Sequence, residues 1–142
     1  MKNLTMLLAL LLLLPSMASA QPDPDCYHNL DALYEAYFDL QDQFPERVKI
    51  DSIGHSQQDS LPVYLVKISN DAYTDYNRPT VLYFAQIHAE EVIGIELIYQ
   101  MAEQLVTQPG GDWRQRRFQL ETYIIPTFNP EGLRVVWGEG PD

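Results

Sequence analysis

The chain has 142 residues, of which 46% are hydrophobic and 20% charged, and a formal net charge of −11. All 20 acidic residues and every basic one except Lys2 lie after residue 20, a balance that argues against nucleic acid and anionic membrane as partners, since both attract clustered Lys and Arg. Cys26 is the single cysteine, so no intrachain disulfide and no zinc-ribbon spacing is possible.

Residues 1–20 read as a secretory signal peptide. Lys2 supplies the positive start, Leu4 to Leu14 is apolar apart from Thr5, Pro15 breaks the run, and Ala18-Ser-Ala20 is a small-residue cleavage pattern. The apolar run is shorter than the roughly 20 residues that a bilayer span needs. Cleavage after Ala20 predicts a secreted or periplasmic protein with no stable membrane anchor and one domain over residues 21–142. Asp23-Pro-Asp25 ahead of Cys26 is not a lipidation context, and the lone thiol reads as a passive residue.

A polar, proline-bearing leader, Gln21 to Asp25, precedes the first helix. Asn29 can cap that helix; Leu30, Leu33, Tyr37, Leu40 and Phe44 form its apolar stripe, and Pro45 stops it. Val48–Ile53 and Pro62–Ile68 read as two strands joined by the turn-forming segment Gly54–Ser60. After a polar connection from Asn70 to Pro79, the nearly all-apolar run Thr80–Ile87 predicts a strand covered on both faces.

Glu90 to Val106 is the strongest helix, with Val92, Ile95, Ile98, Met101 or Ala102, and Leu105 at helical spacing and Pro109-Gly-Gly111 ending it. Trp113 to Arg117 reads as a short basic and aromatic link, with Arg114, Arg116 and Arg117 at the surface. Leu120 to Phe128 follows as a strand, Asn129-Pro-Glu-Gly132 as a turn, and Trp137 as a packing residue. This order predicts an α/β fold, a mixed sheet with helices packed on it. Its strand–helix–strand unit over residues 80–128 implies a parallel crossover.

The chemistry concentrates in His88-Ala-Glu-Glu91, at the carboxyl end of the apolar strand, where open α/β sheets bind ligands. An imidazole and a carboxylate three residues apart can serve one zinc ion, which in catalytic sites takes three protein ligands and a water. The same residues read equally as a surface histidine beside a helix-capping glutamate. His28 and His55, both in loops, are the remaining histidines and read as solvated. Glu90 and Glu91 point about 100° apart on a helix and do not form a carboxylate dyad. No Gly-x-Ser-x-Gly and no phosphate loop occurs.

Several segments, in order, resemble the N-terminal half of the zinc carboxypeptidases of the M14 peptidase family. They are Tyr27–Pro45, Val48–Ser56, Val63–Ser69, Arg78–Val81 leading to His88–Gly94, and Ile125-Pro-Thr-Phe-Asn-Pro-Glu-Gly132. The resemblance implies a phosphorylase/hydrolase-like sheet, Zn2+ as cofactor, and peptide or protein substrates cleaved at or near the C-terminus. It makes His88 the first zinc ligand and Glu91 the second. In the family, zinc polarises the scissile carbonyl and activates water, a glutamate is general base, and an arginine stabilises the oxyanion. Those two residues, the third ligand and the carboxylate clamp lie well past the Asn-Pro-Glu-Gly turn in the family, and so are expected beyond Asp142. The chain is therefore expected to be the N-terminal portion of a catalytic domain, lacking the third ligand and the base, and none of its residues is assigned a catalytic role. Ser60-Leu-Pro62 replaces the family's frequent Gly-Arg-Pro, and Glu90 stands where many relatives have Arg or Gly. Two further readings stand beside the peptidase: a zinc-dependent deacylase of N-acyl amino acids and a non-catalytic exported binding module.

Overall fold

The computed structural model describes residues 22, 23 and 25–140; the predicted signal peptide and Asp142 lie outside the described residues. Helix α1, Leu30–Gln43, begins where the Asn29 side chain accepts the Ala32 N–H at 2.9 Å. Its stripe of Leu30, Leu33, Tyr37 and Leu40 is buried, as the spacing predicts.

Strands β1, Val48–His55, and β2, Pro62–Ile68, form the expected antiparallel pair, in register from Val48 against Ile68 to His55 against Pro62 with an irregularity between Ser52 and Gly54. Strand β3 is Thr80–Phe84, followed by helix α2, Val92–Thr107, and helix α3, Gly111–Gln119. Strand β4, Glu121–Ile125, and helix α4, Pro130–Val136, complete the order. The sheet runs β1-β2-β4-β3, with β4 antiparallel to β2 and parallel to β3. It is the mixed α/β sheet that the element order predicts, with a parallel crossover through α2. Val48, Val66, Ile68 and Ile124 of the sheet meet Leu33 and Tyr37 of α1, Ile95, Ala102 and Val106 of α2, and Leu133 of α4 in one core.

Four expectations are corrected. Strand β3 is not covered on both faces: Leu82 and Phe84, two positions apart and so on one face, are 49% and 47% exposed, because nothing among the described residues packs over that face. The segment around Trp113 is a helix rather than a link. Gly111 turns the chain at a φ of +66°, and Asp112 near the start with Arg116 and Arg117 near the end complement the helix dipole. Arg117, expected at the surface, is 3% exposed; its guanidinium donates to the carbonyls of Leu105 and Gln108 at the end of α2. Asn129-Pro-Glu-Gly132 does not merely turn the chain but opens α4. The Asn129 Oδ1 accepts the Gly132 N–H at 2.9 Å, Pro130 sits in the first turn, and a Cβ at Gly132 would lie 2.5 Å from Asn129 Nδ2.

Candidate metal centre

The parallel pair of β3 and β4 brings two chain segments together at their carboxyl ends. From β3 the chain runs through Ala85–Glu91 into α2, and from β4 through Pro126–Asn129 into α4. The Phe128 N–H donates to the Ala85 carbonyl at 3.2 Å, extending the contact one step past the ladder.

His88 and Glu91 lie on the first of these loops, and both are exposed. Glu91 occupies the N-cap position of α2, yet its carboxylate caps no helix N–H. It instead accepts the backbone N–H of His88 at 3.4 Å, while the Glu91 N–H donates to the His88 carbonyl at 3.2 Å. The reading of Glu91 as a helix cap therefore fails, and both side chains stay on the open side of the loop. The His88 ring has no hydrogen-bond partner among the described residues. A hollow of about 370 Å3 is walled by Phe84, Gln86, Ile87, Glu91 and Ile93; Glu91 lines it and His88 does not. A second hollow, about 380 Å3, lies between Tyr83, Met101, Trp113 and Leu120 and includes neither His88 nor Glu91.

The loop is held by polar groups that no sequence motif marks. Gln86, only 2% exposed, has a φ of +58°, a left-handed conformation that costs a non-glycine residue about 1–2 kcal/mol. Its side chain offsets this cost: Nε2 donates to the Ala89 carbonyl at 3.0 Å, and Oε1 accepts the Thr127 hydroxyl. Thr127 Oγ1 in turn accepts the Asn129 N–H at 3.2 Å, and Asn129 Nδ2 donates to the Ile87 carbonyl at 3.2 Å. A signal is available in the sequence, since Gln86 is the one amide in the apolar run from Thr80 to Ile87.

The other sequence candidates do not join the pair. His28 is not solvated as expected. Its Nδ1 lies 2.8 Å from Glu96 Oε2, its N–H donates to Glu96 Oε1 at 2.7 Å, and the Tyr99 ring meets it edge-on at 5.2 Å. Trp137, expected as packing, is partly buried against the core, and its Nε1 donates to the His28 carbonyl at 3.2 Å. His55 is exposed at the end of β1. Among the described residues no group of three His, Cys, Asp or Glu could hold a metal ion. The general base and oxyanion arginine that the resemblance puts past Asp142 fall outside the described residues as well. Glu131, on α4, accepts the N–H groups of Gln58 and Asp59 at 2.7 and 2.9 Å, tying the β1–β2 loop to the helix. A side-chain hydrogen bond from Ser56, then the backbone donors, hold its carboxyl below the usual range.

Comparison with known proteins gives one consistent picture. The family model described as zinc carboxypeptidase, Peptidase_M14, matches residues 33–141. The catalytic chain of human carboxypeptidase N is 29% identical over 121 residues, covering 82% of this chain and 26% of that protein. The inactive metallocarboxypeptidase ECM14 of Saccharomyces cerevisiae is 25% identical over 78% of this chain and 26% of its own length. Among solved structures, carboxypeptidase A from Helicoverpa armigera superposes with a TM-score of 0.72 at 20% identity, over 94% of this chain and 32% of that one. Thrombin-activatable fibrinolysis inhibitor gives a TM-score of 0.71 at 21% identity, over 78% and 27%. These structural matches speak for the fold. The chain thus spans about a quarter of the length of the curated relatives it matches.

Proposed function

Because the chain belongs to the zinc carboxypeptidase family, the M14 peptidases, we propose that it forms the N-terminal part of an exported zinc-dependent metallocarboxypeptidase that cleaves peptide bonds at or near peptide C-termini. One observation carries this reading: His88 and Glu91 stand exposed on the loop between β3 and α2, at the carboxyl edge of the parallel pair. The donor set suits zinc in kind, an imidazole nitrogen and a carboxylate oxygen, and supplies two of the three protein ligands that catalytic sites take. When bound there, zinc supplies Lewis acidity toward a peptide carbonyl and toward water.

This chain's own contribution is to present that pair. The Glu91 carboxylate is turned back over the loop by the His88 N–H, and α2 fixes the direction in which the loop leaves. The third ligand and the general base belong to the longer domain of the relatives, so hydrolysis is proposed for that domain and metal capture for these residues.

Zinc bound per chain, measured by equilibrium dialysis and atomic absorption, tests the ligand pair. His88→Ala and Glu91→Ala are expected to bind less than the parent chain, and equal zinc in parent and His88→Ala would overturn the assignment. Chelator-sensitive release of a free C-terminal amino acid from a peptide, by the protein as its source expresses it, separates the peptidase from the non-catalytic binding module. Export is tested by the N-terminal residue of protein recovered from medium or periplasm, expected to be Gln21.

A further inference from the structure

We infer that Gln86 and Thr127 are positioning residues that set the His88–Glu91 loop in its ligand-presenting form before any metal arrives; the metal side of this inference rests on the ligand reading above. Gln86 is buried, and it holds a left-handed backbone conformation that few side chains adopt without local compensation. A residue needed only to turn the chain would be glycine, which adopts that conformation freely. Glutamine brings instead an amide that bridges two segments. Its donor end holds the Ala89 carbonyl, inside the motif itself, and its acceptor end takes the Thr127 hydroxyl on the loop after β4.

The bridge does not stand alone. Asn129 Nδ2 holds the Ile87 carbonyl, and the Phe128 N–H holds that of Ala85. The carbonyls of Ala85, Ile87 and Ala89 therefore all accept from fixed donors, two of them on the β4 side. With the backbone on either side of His88 fixed at Ile87 and Ala89, the imidazole has only its own side-chain rotations left. Such outer partners commonly set metal affinity by roughly 10–100-fold.

The test uses Gln86→Gly, which keeps the backbone conformation and deletes the bridge, and Thr127→Val, which keeps the shape and deletes the hydroxyl. Thr127→Ser is the conservative rescue. In the metal-free chain, amide hydrogen exchange at residues 88–91 is expected to accelerate at least tenfold in Gln86→Gly and Thr127→Val. Thr127→Ser should stay near the parent rate, and the core amides of α1 should not change. Exchange at 88–91 within twofold of the parent in both variants overturns the inference, as does acceleration shared equally by α1. Zinc affinity is the second readout, expected to fall about 10–100-fold in both variants and to return in Thr127→Ser. If His88→Ala binds as much zinc as the parent, the ligand reading fails by itself, and the metal-free exchange still decides the role of Gln86.

Discussion

Replacing Arg117 by methionine tests how α2 is terminated. The last turn of α2 contains no basic residue of its own, yet its carbonyls face cations from elsewhere in the chain. Arg117 of α3 donates to Leu105 and Gln108, and Arg47, ahead of β1, donates to Val106 at 2.8 Å. Hydrogen bonds from a charged donor contribute about 1.5–3 kcal/mol each. Against this, burial and the nearby Arg47 and Arg114 push the Arg117 guanidinium below its usual pKa, and its buried Nε finds no partner among the described residues. An unpaired buried donor costs about 1–3 kcal/mol, which methionine would relieve. Weighing two lost bonds and two orphaned carbonyls against that relief gives a net loss of about 2–4 kcal/mol. Urea unfolding followed by circular dichroism would show this as a lower midpoint at unchanged slope. Arg114→Ala, where the side chain is exposed and lies over the Phe118 ring, should change stability by no more than about 0.5 kcal/mol. If Arg117→Met were no worse than Arg114→Ala, the claim that α2 ends on a buried arginine would be wrong.

Gly94→Ala places a Cβ 2.9 Å from the Ala85 Cβ and should destabilise by about 1–3 kcal/mol, with Ala85→Gly restoring most of the loss in the double variant; no recovery in the same unfolding assay would refute the clash. Tyr37 is 1% exposed and its hydroxyl has no partner among the described residues, so Tyr37→Phe should be neutral or stabilising; a thermal midpoint several degrees lower would contradict this. Lys67 lies 2.8 Å from Glu121. Burial alone would lower its pKa, but the hydrogen bond to Glu121, with Tyr123 adding to it, leaves it raised. A raised folded pKa gives stability that is complete below the unfolded lysine value of about 10.4 and is lost as pH climbs through the folded value. Urea midpoints should therefore fall in that alkaline range for the parent and fall less for Glu121→Gln, and parallel curves would count against the pair.

Where the sequence is legible, the determining interactions are local. The cap at Asn29 and the stripe from Leu30 to Leu40 lie within one helix, so spacing alone reveals them. The β1–β2 hairpin is legible for the same reason. Strand β3 misleads because an apolar run records that a face is suited to burial, and not what buries it. Here β4 pairs with one edge, while Leu82, Tyr83 and Phe84 remain exposed. Helix α3 is hidden for the opposite reason. Its composition is polar, and what it contributes to the fold comes largely from Arg117 reaching another helix. The proposed ligand pair shows both limits together. His88 and Glu91 stand out because ligand chemistry needs particular residue types at particular spacing. Gln86 and Thr127, 41 positions apart, are silent because their meaning exists only once parallel pairing sets β3 beside β4. A glutamine in an otherwise apolar run is the one outward sign. Its burial, left-handed backbone and bond to the Ala89 carbonyl mark a polar residue interrupting such a run as one whose side chain holds the loop that follows.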